Sequence, residues 1–215
     1  SAAVAANILD AESMTVWKDV AGVLNADPKI FPDARKIDAL NYVDTIELAY
    51  SGAQIIHPKT IKPLQNKHIP LYVRPFGDRT ASGTVIDESA PTVRTPIIIL
   101  KRNQSILTLR SRDLSFVLEE KFPIVFSTLE RFRIKCNLIH NTAIALSLCL
   151  EESWHIGQAA AALRSEGFDT EIIPDVELLT IHHRNGTDIS RYTGDESKLF
   201  IAQTTPDTIR VARRR

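Results

Sequence analysis

A cluster of charged and turn-forming residues follows an early apolar segment of the chain. Residues 17–29 read WKDVAGVLNADPK, with Lys18 and Lys29 near the two ends of a stretch rich in Asp, Gly, Asn and Pro. This composition predicts a loop that leaves a short strand, MTVW (14–17). Loops at the carboxyl ends of strands carry ligands in α/β proteins, and the two lysines with Asp19 would suit a phosphorylated ligand. From the residues alone, a plain surface loop with solvated charges is the favoured interpretation.

The familiar signatures of other chemistries are absent from the 215 residues. The sequence contains no GxGxxG, GxxxxGK[ST] or GxSxG pattern, and neither cysteine has the context of a nucleophile. The six histidines lack the spacing of a metal site. His182 and His183 are adjacent on a predicted strand, so we expect their side chains on opposite faces. We therefore predict no metal centre.

Composition restricts the class of protein further. Twenty-six basic residues balance 26 acidic ones, which gives no overall attraction to nucleic acid or to an anionic membrane. The basic end, RVARRR, is interpreted as a solvated tail. There is no apolar run of about 20 residues and no secretory signal at the start, so we expect no membrane association. Cys136 and Cys149 form no CxxC motif, which favours free thiols and a cytoplasmic location.

The first part of the chain alternates strand-like and helix-like segments. Asn41 can cap the helix YVDTIELAY, and Gly52 can end it. The other predicted elements are a helix over 1–11, the strand MTVW, a strand QIIH (54–57), a helix that starts at Pro58, and the strands IPLYVRPF and GTVI. Such alternation indicates an α/β architecture.

The second part begins after a connector, ESAPTVRTP (88–96). Two strands, 97–99 and 105–110, flank KRNQ, and the order of elements from 105 to 173 is β-α-β-β-α-β. This order is typical of a ferredoxin-like unit, with two helices on one face of a four-stranded antiparallel sheet. An apolar stripe on the first helix is assigned to packing: Phe122, Val125, Phe126, Leu129 and Phe132. Further strand-like segments are DTEIIPDVE, LLTIHH, KLFIAQTT and TIRVARR, with a turn or short helix at TDISRYTGD.

The order of several motifs resembles the aspartate kinase family. WKDVAGVLNADPK is similar to W-T-D-V-x-G-(I/V)-x-x-x-D-P-R, and ELAYSGAQIIHPKTIKP (47–63) is similar to E-L-A-Y-F-G-A-K-V-(L/I)-H-P-x-T-(I/L)-x-P. KRNQSILTL matches the family's (K/R)-R-N-Q-x-L-L-T-L. The resemblance covers the chain and implies the C-terminal half of such a kinase. The implied fold is the α/β end of an amino-acid kinase domain followed by two α+β ferredoxin-like ACT domains, which bind amino acids.

The resemblance implies an activity and a set of nucleotide contacts. Aspartate kinases transfer the γ-phosphate of ATP, bound with Mg²⁺, to the β-carboxylate of L-aspartate, the first step toward lysine, threonine and methionine. The nucleotide-binding positions of the family fall on Lys18, Asp19, Leu24, Lys29, Gln54 and Ile55. Lys29 stands where the family has Arg, and Gln54 stands where it has Lys. These changes remove a bidentate donor and one positive charge from the phosphate site.

Two catalytic motifs of the family do not occur in these 215 residues. The K-F-G-G-T-S loop, with its catalytic lysine, and the G-G-S-D loop are both missing. Phosphoryl transfer depends almost entirely on positioning and charge stabilisation. We therefore expect no catalytic residue in this chain and no kinase activity of the chain alone.

The regulatory region resembles that of the lysine-inhibited kinases, with departures. The effector of that branch lies at the start of the first ACT helix, here Phe122, and along a D-L-I-T-T-S-E run, here NLIHNTA (137–143). Asn137, Asn141 and Thr142 are the remaining effector candidates. The resemblance implies lysine or threonine as the effector. Asn137 and Ala143 replace the two acids that would hold a cationic amino acid, so amino-acid binding of altered specificity and a hairpin that only builds the dimer interface remain equal alternatives.

The implied domains interleave along the chain. Residues 1–90 form the nucleotide side of the kinase domain, 91–96 the linker, 105–176 the first ACT domain, and 97–104 with 177–215 the second. We expect a homodimer through the ACT domains. The alternative functions are a non-catalytic regulatory subunit or effector-binding ACT module, and, less favoured, an RNA-binding module, for which no aromatic-bearing strand of the RNA-recognition type is visible.

Overall fold

A computed structural model describes residues 2–53, 56–114, 116–184 and 198–214. The helices are α1 (Ala2–Ile8), α2 (Tyr42–Ser51), α3 (Pro58–Gln65), a π-helix (Val117–Lys121), α4 (Phe122–Arg131) and α5 (Ile156–Ser165). The strands are β1 (Met14–Lys18), β2 (Ala39–Leu40), β3 (Leu71–Pro75), β4 (Thr84–Ile86), β5 (Ile97–Ser111), β6 (Cys136–Asn141), β7 (Ala145–Glu151), β8 (Phe168–His182), β9 (Leu199–Thr204) and β10 (Thr208–Arg214).

The chain divides into two compact units. The first comprises residues 1–99, 181–187 and 206–208, and the second comprises 100–180, 188–205 and 209–215. Both units are discontinuous because the long strands β5 and β8 and the strand β10 contribute residues to each.

A four-stranded mixed sheet forms the centre of the first unit. Its strand order is β1-β3-β4-β2, with β1 parallel to β3, β3 antiparallel to β4, and β4 parallel to β2. Fully buried leucines from strands and helices alike, among them Leu40, Leu48, Leu64 and Leu71, pack into one core. The predicted α/β character of this part is confirmed.

Helix α2 begins and ends at the predicted residues. The Asn41 side chain accepts a 2.7 Å hydrogen bond from the Asp44 amide, which satisfies one of the free N–H groups at the helix start. Gly52 adopts a left-handed conformation, with φ of 112°, and its N–H bonds back to the last turn. A short polar cap and a glycine stop are local signals, so the sequence sufficed here.

The strand predicted over 54–57 is absent from the two of its residues that the structure describes. Gln54 and Ile55 lie outside the described residues, and Ile56 and His57 are not in a strand. His57 instead caps α3, because its Nδ1 accepts a hydrogen bond from the Lys59 amide at 3.1 Å. The helix predicted over 1–11 is also shorter, since α1 ends at Ile8.

The second unit has the predicted ferredoxin-like arrangement. Within the six-stranded sheet, order β6-β7-β5-β8-β10-β9, the first four strands together with α4 and α5 complete the β-α-β-β-α-β pattern. Both helices lie on one face of these strands, where Val125 and Leu163 share a core with Leu107 and Leu148. The packing role assigned to the apolar stripe of α4 is confirmed, since all five of its members belong to this core.

Two predicted strand breaks do not occur. KRNQ is part of the continuous strand β5, and its Gln104 already pairs with Glu151 of β7. DTEIIPDVE and LLTIHH likewise join into β8. Both strands have neighbours on each side in the sheet, and each continues through a left-handed residue at the predicted break, Asn103 in β5 and Asp175 beside Pro174 in β8, both with φ of 56°. The predicted turn or helix TDISRYTGD (187–195) lies outside the described residues.

The opposite face of this sheet encloses a smaller apolar core. Residues from all six strands contribute, including Ile106, Leu138 and Ile201. The two ends of the sheet also meet: Gln203 of β9 donates to the Ile139 carbonyl of β6, and Arg210 of β10 donates to the Asn137 carbonyl, each at 2.5 Å. The sheet therefore curls around this core.

Candidate functional site

Lys18 and Asp19 lie at the carboxyl end of β1. The strand runs parallel to β3, and Lys18 pairs with Pro75 at the end of that strand. The Phe76 amide continues the pairing by donating to the Lys18 carbonyl at 2.6 Å. Lys18 is half-buried and Asp19 is exposed. The strand ends therefore meet at one edge of the sheet, which is where α/β folds place ligands.

The residues that follow β1 form an ordered loop, 19–30, called here the β1 loop. Leu24 makes an isolated antiparallel bridge with Lys36, and Asn25 exchanges two hydrogen bonds with the Arg35 backbone, at 2.9 and 2.7 Å. Lys29 is exposed, and its amide donates to Asp27 Oδ1 at 2.9 Å. Leu24 and Lys29 thus lie further along the same loop as Asp19, held by backbone contacts. Gln54 and Ile55 lie outside the described residues.

Sequence reasoning did not assign a role to two aromatic side chains at this edge. Trp17 and Phe76 meet edge to face, with ring centroids 6.3 Å apart. Phe76 is 73% exposed and Trp17 is 37% exposed, so the pair presents apolar surface beside Lys18. Their signal in the sequence was an aromatic residue near the carboxyl end of each of two strands, β1 and β3, that are parallel neighbours in the sheet.

Asn137, the first effector candidate on β6, already has partners within the chain. Its Oδ1 accepts from Lys101 Nζ at 2.9 Å, and its Nδ2 donates to Gln104 Oε1 at 2.7 Å. The Asn137 side chain is buried, so these bonds remove the cost of desolvating its amide. The polar run KRNQ indicates Lys101 and Gln104 as candidates for polar contacts. It does not indicate that these contacts are made with β6.

The other effector candidates do not gather around Asn137. Phe122 stacks on Phe126, with ring centroids 4.3 Å apart, and both belong to the core beneath the helices. Gln104, the partner of Asn137, lies beside Cys149, which belongs to the core on the opposite face of the sheet. Asn141 and Thr142 are exposed at the hairpin turn, where the Thr142 hydroxyl accepts from the Ala145 amide at 3.2 Å.

The amine of Lys101 gives a prediction for the pH dependence of stability. Burial, reinforced by Lys135, lowers the pKa of Lys101 from 10.5 to about 8. Between these two values the unfolded chain binds more protons than the folded chain, so the free energy of unfolding should rise with pH in this window. Solvent screening of a partly exposed amine reduces the gain to about 1 kcal/mol.

Denaturant titrations of the wild type and of Lys101→Met at pH 7.5 and pH 10 would measure this gain. The wild type should gain about 1 kcal/mol over the variant as the pH rises. Two free thiols oppose this gain, because burial raises the pKa of Cys136 to about 11 and that of Cys149 to about 12. Both proteins contain these thiols, so their contribution cancels in the comparison. Equal pH dependence of the two proteins would contradict the prediction.

His182 and His183 do not point to opposite faces. Strand β8 ends at His182, and His183 follows in a left-handed conformation, with φ of 55°. The backbone turn brings both rings to one cavity of about 210 Å³ in the first unit. His182 Nε2 lies 2.9 Å from the Ser51 hydroxyl, and the two ring nitrogens of His183 lie 3.5 and 3.4 Å from Asp44 and Asp207.

The described residues form neither a metal site nor a membrane-spanning helix. In the described part of the chain, no group of three or more His, Cys, Asp or Glu residues has a geometry that could hold a metal ion. No helix among the described residues combines the length and the hydrophobicity of a membrane span.

Comparison with known proteins identifies relatives of this fold and of the β1 loop. Residues 1–75 match the amino acid kinase family. The chain is 34% identical to chloroplastic aspartokinase 2 of Arabidopsis thaliana over 149 residues, 66% of this chain and 26% of the relative. It is 32% identical to lysine-sensitive aspartokinase 3 of Escherichia coli over 158 residues, 70% of this chain and 34% of the relative.

A solved structure extends the likeness over nearly the whole chain. The structure of E. coli aspartokinase III in complex with aspartate and ADP superposes with a TM-score of 0.77 at 23% identity, and the match covers 99% of this chain and 51% of that one. At this identity the match supports the fold. The chain thus spans between a quarter and about a third of the length of the two curated relatives above and about half of the solved structure. On sequence and fold together, the chain belongs to the aspartokinase family.

Proposed function

We propose that this chain is part of an aspartate kinase, which phosphorylates the β-carboxylate of L-aspartate with ATP. The observation that carries the proposal is the β1 loop, which has the family motif and leaves the sheet where β1 and β3 end side by side. The structure of E. coli aspartokinase III, which has the same fold, contains aspartate and ADP, which supports a nucleotide as a ligand of this fold.

The residues of the β1 loop suit the nucleotide rather than the transferred group. Lys18 and Lys29 would place positive charge near phosphate oxygens, and Asp19 would accept hydrogen bonds from an amino group or a ribose hydroxyl. Leu24, only half-buried, would pack on the base or ribose. Mg²⁺ would arrive with the phosphates of ATP, since Mg²⁺ is commonly held by substrate phosphates and one or two carboxylates. There it would neutralise the charge that develops during phosphoryl transfer.

The roles of Gln54 and Ile55 remain predictions from the family motif. In the proposed site they would lie against the nucleotide, where Gln54 would donate hydrogen bonds without adding charge. We also propose the division into residues 1–90, the linker 91–96 and two interleaved ACT domains.

The kinase proposal predicts how activity depends on the missing motifs. The 215-residue chain should show no turnover with ATP and aspartate when aspartyl phosphate is trapped with hydroxylamine. The same chain preceded in frame by a segment that carries K-F-G-G-T-S and G-G-S-D should show turnover, because those loops supply the positioning groups for the phosphate and the substrate.

A matched control makes this test specific. In the extended protein, a double substitution Lys18→Ala with Lys29→Ala should raise the KM for ATP about tenfold or more, while the KM for aspartate changes little. Turnover by the 215-residue chain alone would contradict the assignment of catalysis to the missing motifs. An extended protein that phosphorylates another substrate would contradict the aspartate kinase proposal.

We further propose that the second unit binds an amino-acid effector, with Phe122, Asn137, Asn141 and Thr142 as candidate contacts. The lysine sensitivity of the E. coli relative supports a regulatory role for this region. The Asn137 amide already accepts a hydrogen bond from the amine of Lys101 and donates one to Gln104, which argues against binding of a cationic effector group at that amide. Calorimetric titration with lysine, threonine, methionine and diaminopimelate would test effector binding, and no heat at millimolar concentrations would exclude all four.

The remaining proposals concern the cellular setting and assembly. We propose a cytoplasmic location, supported by the two free thiols, and a homodimer through the ACT domains. The alternative function, a non-catalytic regulatory subunit, predicts that the gene has a start codon directly upstream of Ser1. An in-frame upstream segment with both missing motifs would exclude it.

A further inference from the structure

Thr84 connects three separate segments of the first unit. The side chain is fully buried at the start of β4, and its Oγ1 accepts a 2.8 Å hydrogen bond from the Val23 amide of the β1 loop. The same hydroxyl donates to the Ile37 carbonyl at 2.5 Å. Ile37 in turn donates its amide to the Val23 carbonyl at 2.8 Å. Val23 is therefore held on both its N–H and its C=O.

The β1 loop packs closely against Thr84. A Cβ on Gly22 would lie 2.6 Å from Thr84 Oγ1, a distance that real Cβ contacts do not show. Lys36, which bridges to Leu24, donates its ammonium group to the Gly83 carbonyl at 2.7 Å. The β1 loop is thus attached to the start of β4 at two successive residues, Gly83 and Thr84.

We propose that Thr84 is the positioning residue of the β1 loop. Its hydroxyl sets the place of Leu24 and the path of the backbone from Leu24 to Lys29 against the nucleotide. This inference rests on the nucleotide site proposed above. Val23 is the residue before Leu24, so the hydroxyl of Thr84 fixes the backbone one residue from the proposed base contact. Nucleotide affinity depends on such pre-ordering, because a loop that is ordered only on binding loses affinity to conformational entropy.

A hydroxyl rather than a methyl group is required at this position. Valine has nearly the same shape as threonine, but it would leave the buried Val23 amide without an acceptor and the Ile37 carbonyl without a donor. The loop can recover hydration of the Val23 amide only by moving away from β4. Serine retains the hydroxyl and both hydrogen bonds.

Three variants separate positioning from general destabilisation: Thr84→Val, Thr84→Ser and Thr45→Val. Thr45 is the matched control, since it is also fully buried in the first unit. Its hydroxyl donates to the Asn41 carbonyl at 2.8 Å, and the Thr45 amide donates to the same carbonyl. Valine at position 45 would therefore leave the Asn41 carbonyl with a donor. Each protein would carry Trp154→Phe, which leaves Trp17 beside Lys18 as the single tryptophan.

The first measurement is hydrogen exchange of peptides that cover residues 19–30. Thr84→Val should raise exchange at the Val23 amide at least tenfold, whereas Thr84→Ser and Thr45→Val should leave it within about twofold of the parent. Equal protection in Thr84→Val and the parent would overturn the inference, whether or not nucleotide binds.

The second measurement is titration of Trp17 fluorescence with ADP and Mg²⁺. Thr84→Val should raise the Kd about tenfold, and the other two variants should bind like the parent. Unchanged affinity in Thr84→Val would overturn the positioning role and leave the proposed function intact. A parent chain that binds no ADP at millimolar concentration would instead show that the β1 loop binds no nucleotide without the segment that carries K-F-G-G-T-S and G-G-S-D, and hydrogen exchange would still decide the anchoring.

Discussion

Replacing Gly83 by alanine should lower the free energy of unfolding by about 3 kcal/mol or more. Gly83 adopts φ of +67°, a conformation that costs about 1–2 kcal/mol for a residue with a Cβ. The added Cβ would also lie 2.1 Å from the Val73 carbonyl oxygen, which is backbone within β3 and cannot rotate away. Relief of this overlap requires β3 and β4 to separate, and with them the anchor of the β1 loop.

Gly77→Ala is the matched control for this prediction, because a Cβ at Gly77 meets nothing within 4 Å. Its effect on stability should stay within about 0.5 kcal/mol. Denaturant unfolding of both variants, followed by circular dichroism, measures the difference. A Gly83→Ala protein as stable as Gly77→Ala would show that the backbone at the start of β4 is not constrained as described.

Replacing Arg213 by alanine should cost about 3 kcal/mol in the second unit. Arg213 of β10 donates from Nε and Nη2 to Glu177 Oε1 of β8, at 2.8 and 2.7 Å. The Glu177 side chain is only 10% exposed, so the truncation would leave a buried carboxylate without its main cation. Breaking such a pair is costly because the remaining charge has lost its hydration and gained no substitute.

The exposed pair of Arg112 and Asp169 provides the comparison. Its N···O distance is also 2.8 Å, but its side chains are 50% and 70% exposed. Arg112→Ala should therefore cost at most about 1 kcal/mol. The double variant Arg213→Met with Glu177→Leu should recover most of the loss, because no charge remains buried. Similar losses for Arg213→Ala and Arg112→Ala would contradict the role assigned to burial.

The nucleotide site and the effector site differ in how well the sequence could locate their residues. The β1 loop follows its strand directly, so the place of Lys18 and Asp19 at the sheet edge follows from local order and the rule for strand ends. The effector candidates needed knowledge of which strand faces which. Asn137 meets Gln104, 33 positions earlier, and only the register of β5, β6 and β7 brings the two together.

Strand continuity shows the same limit. The polar run KRNQ and the proline in DTEIIPDVE predict breaks when each segment is considered alone. In the sheet, β5 and β8 have neighbours on both sides, and the backbone hydrogen bonds of those neighbours outweigh local preference. The two histidines show the converse, since a single left-handed residue, His183, ends the alternation on which the opposite-face prediction depended.

The sequence by itself determined the elements that depend on neighbours a few residues apart, and, through its motifs, the family. These are the capped helix α2, the apolar stripe of α4, the β6–β7 hairpin and the β-α-β-β-α-β order. Only the tertiary structure decided the partners of buried polar groups: Thr84 with Val23, 61 positions apart, and Glu177 with Arg213, 36 positions apart. Such pairs leave no local pattern, because a buried hydrogen bond is selected by three-dimensional proximity and by the cost of leaving either group unsatisfied.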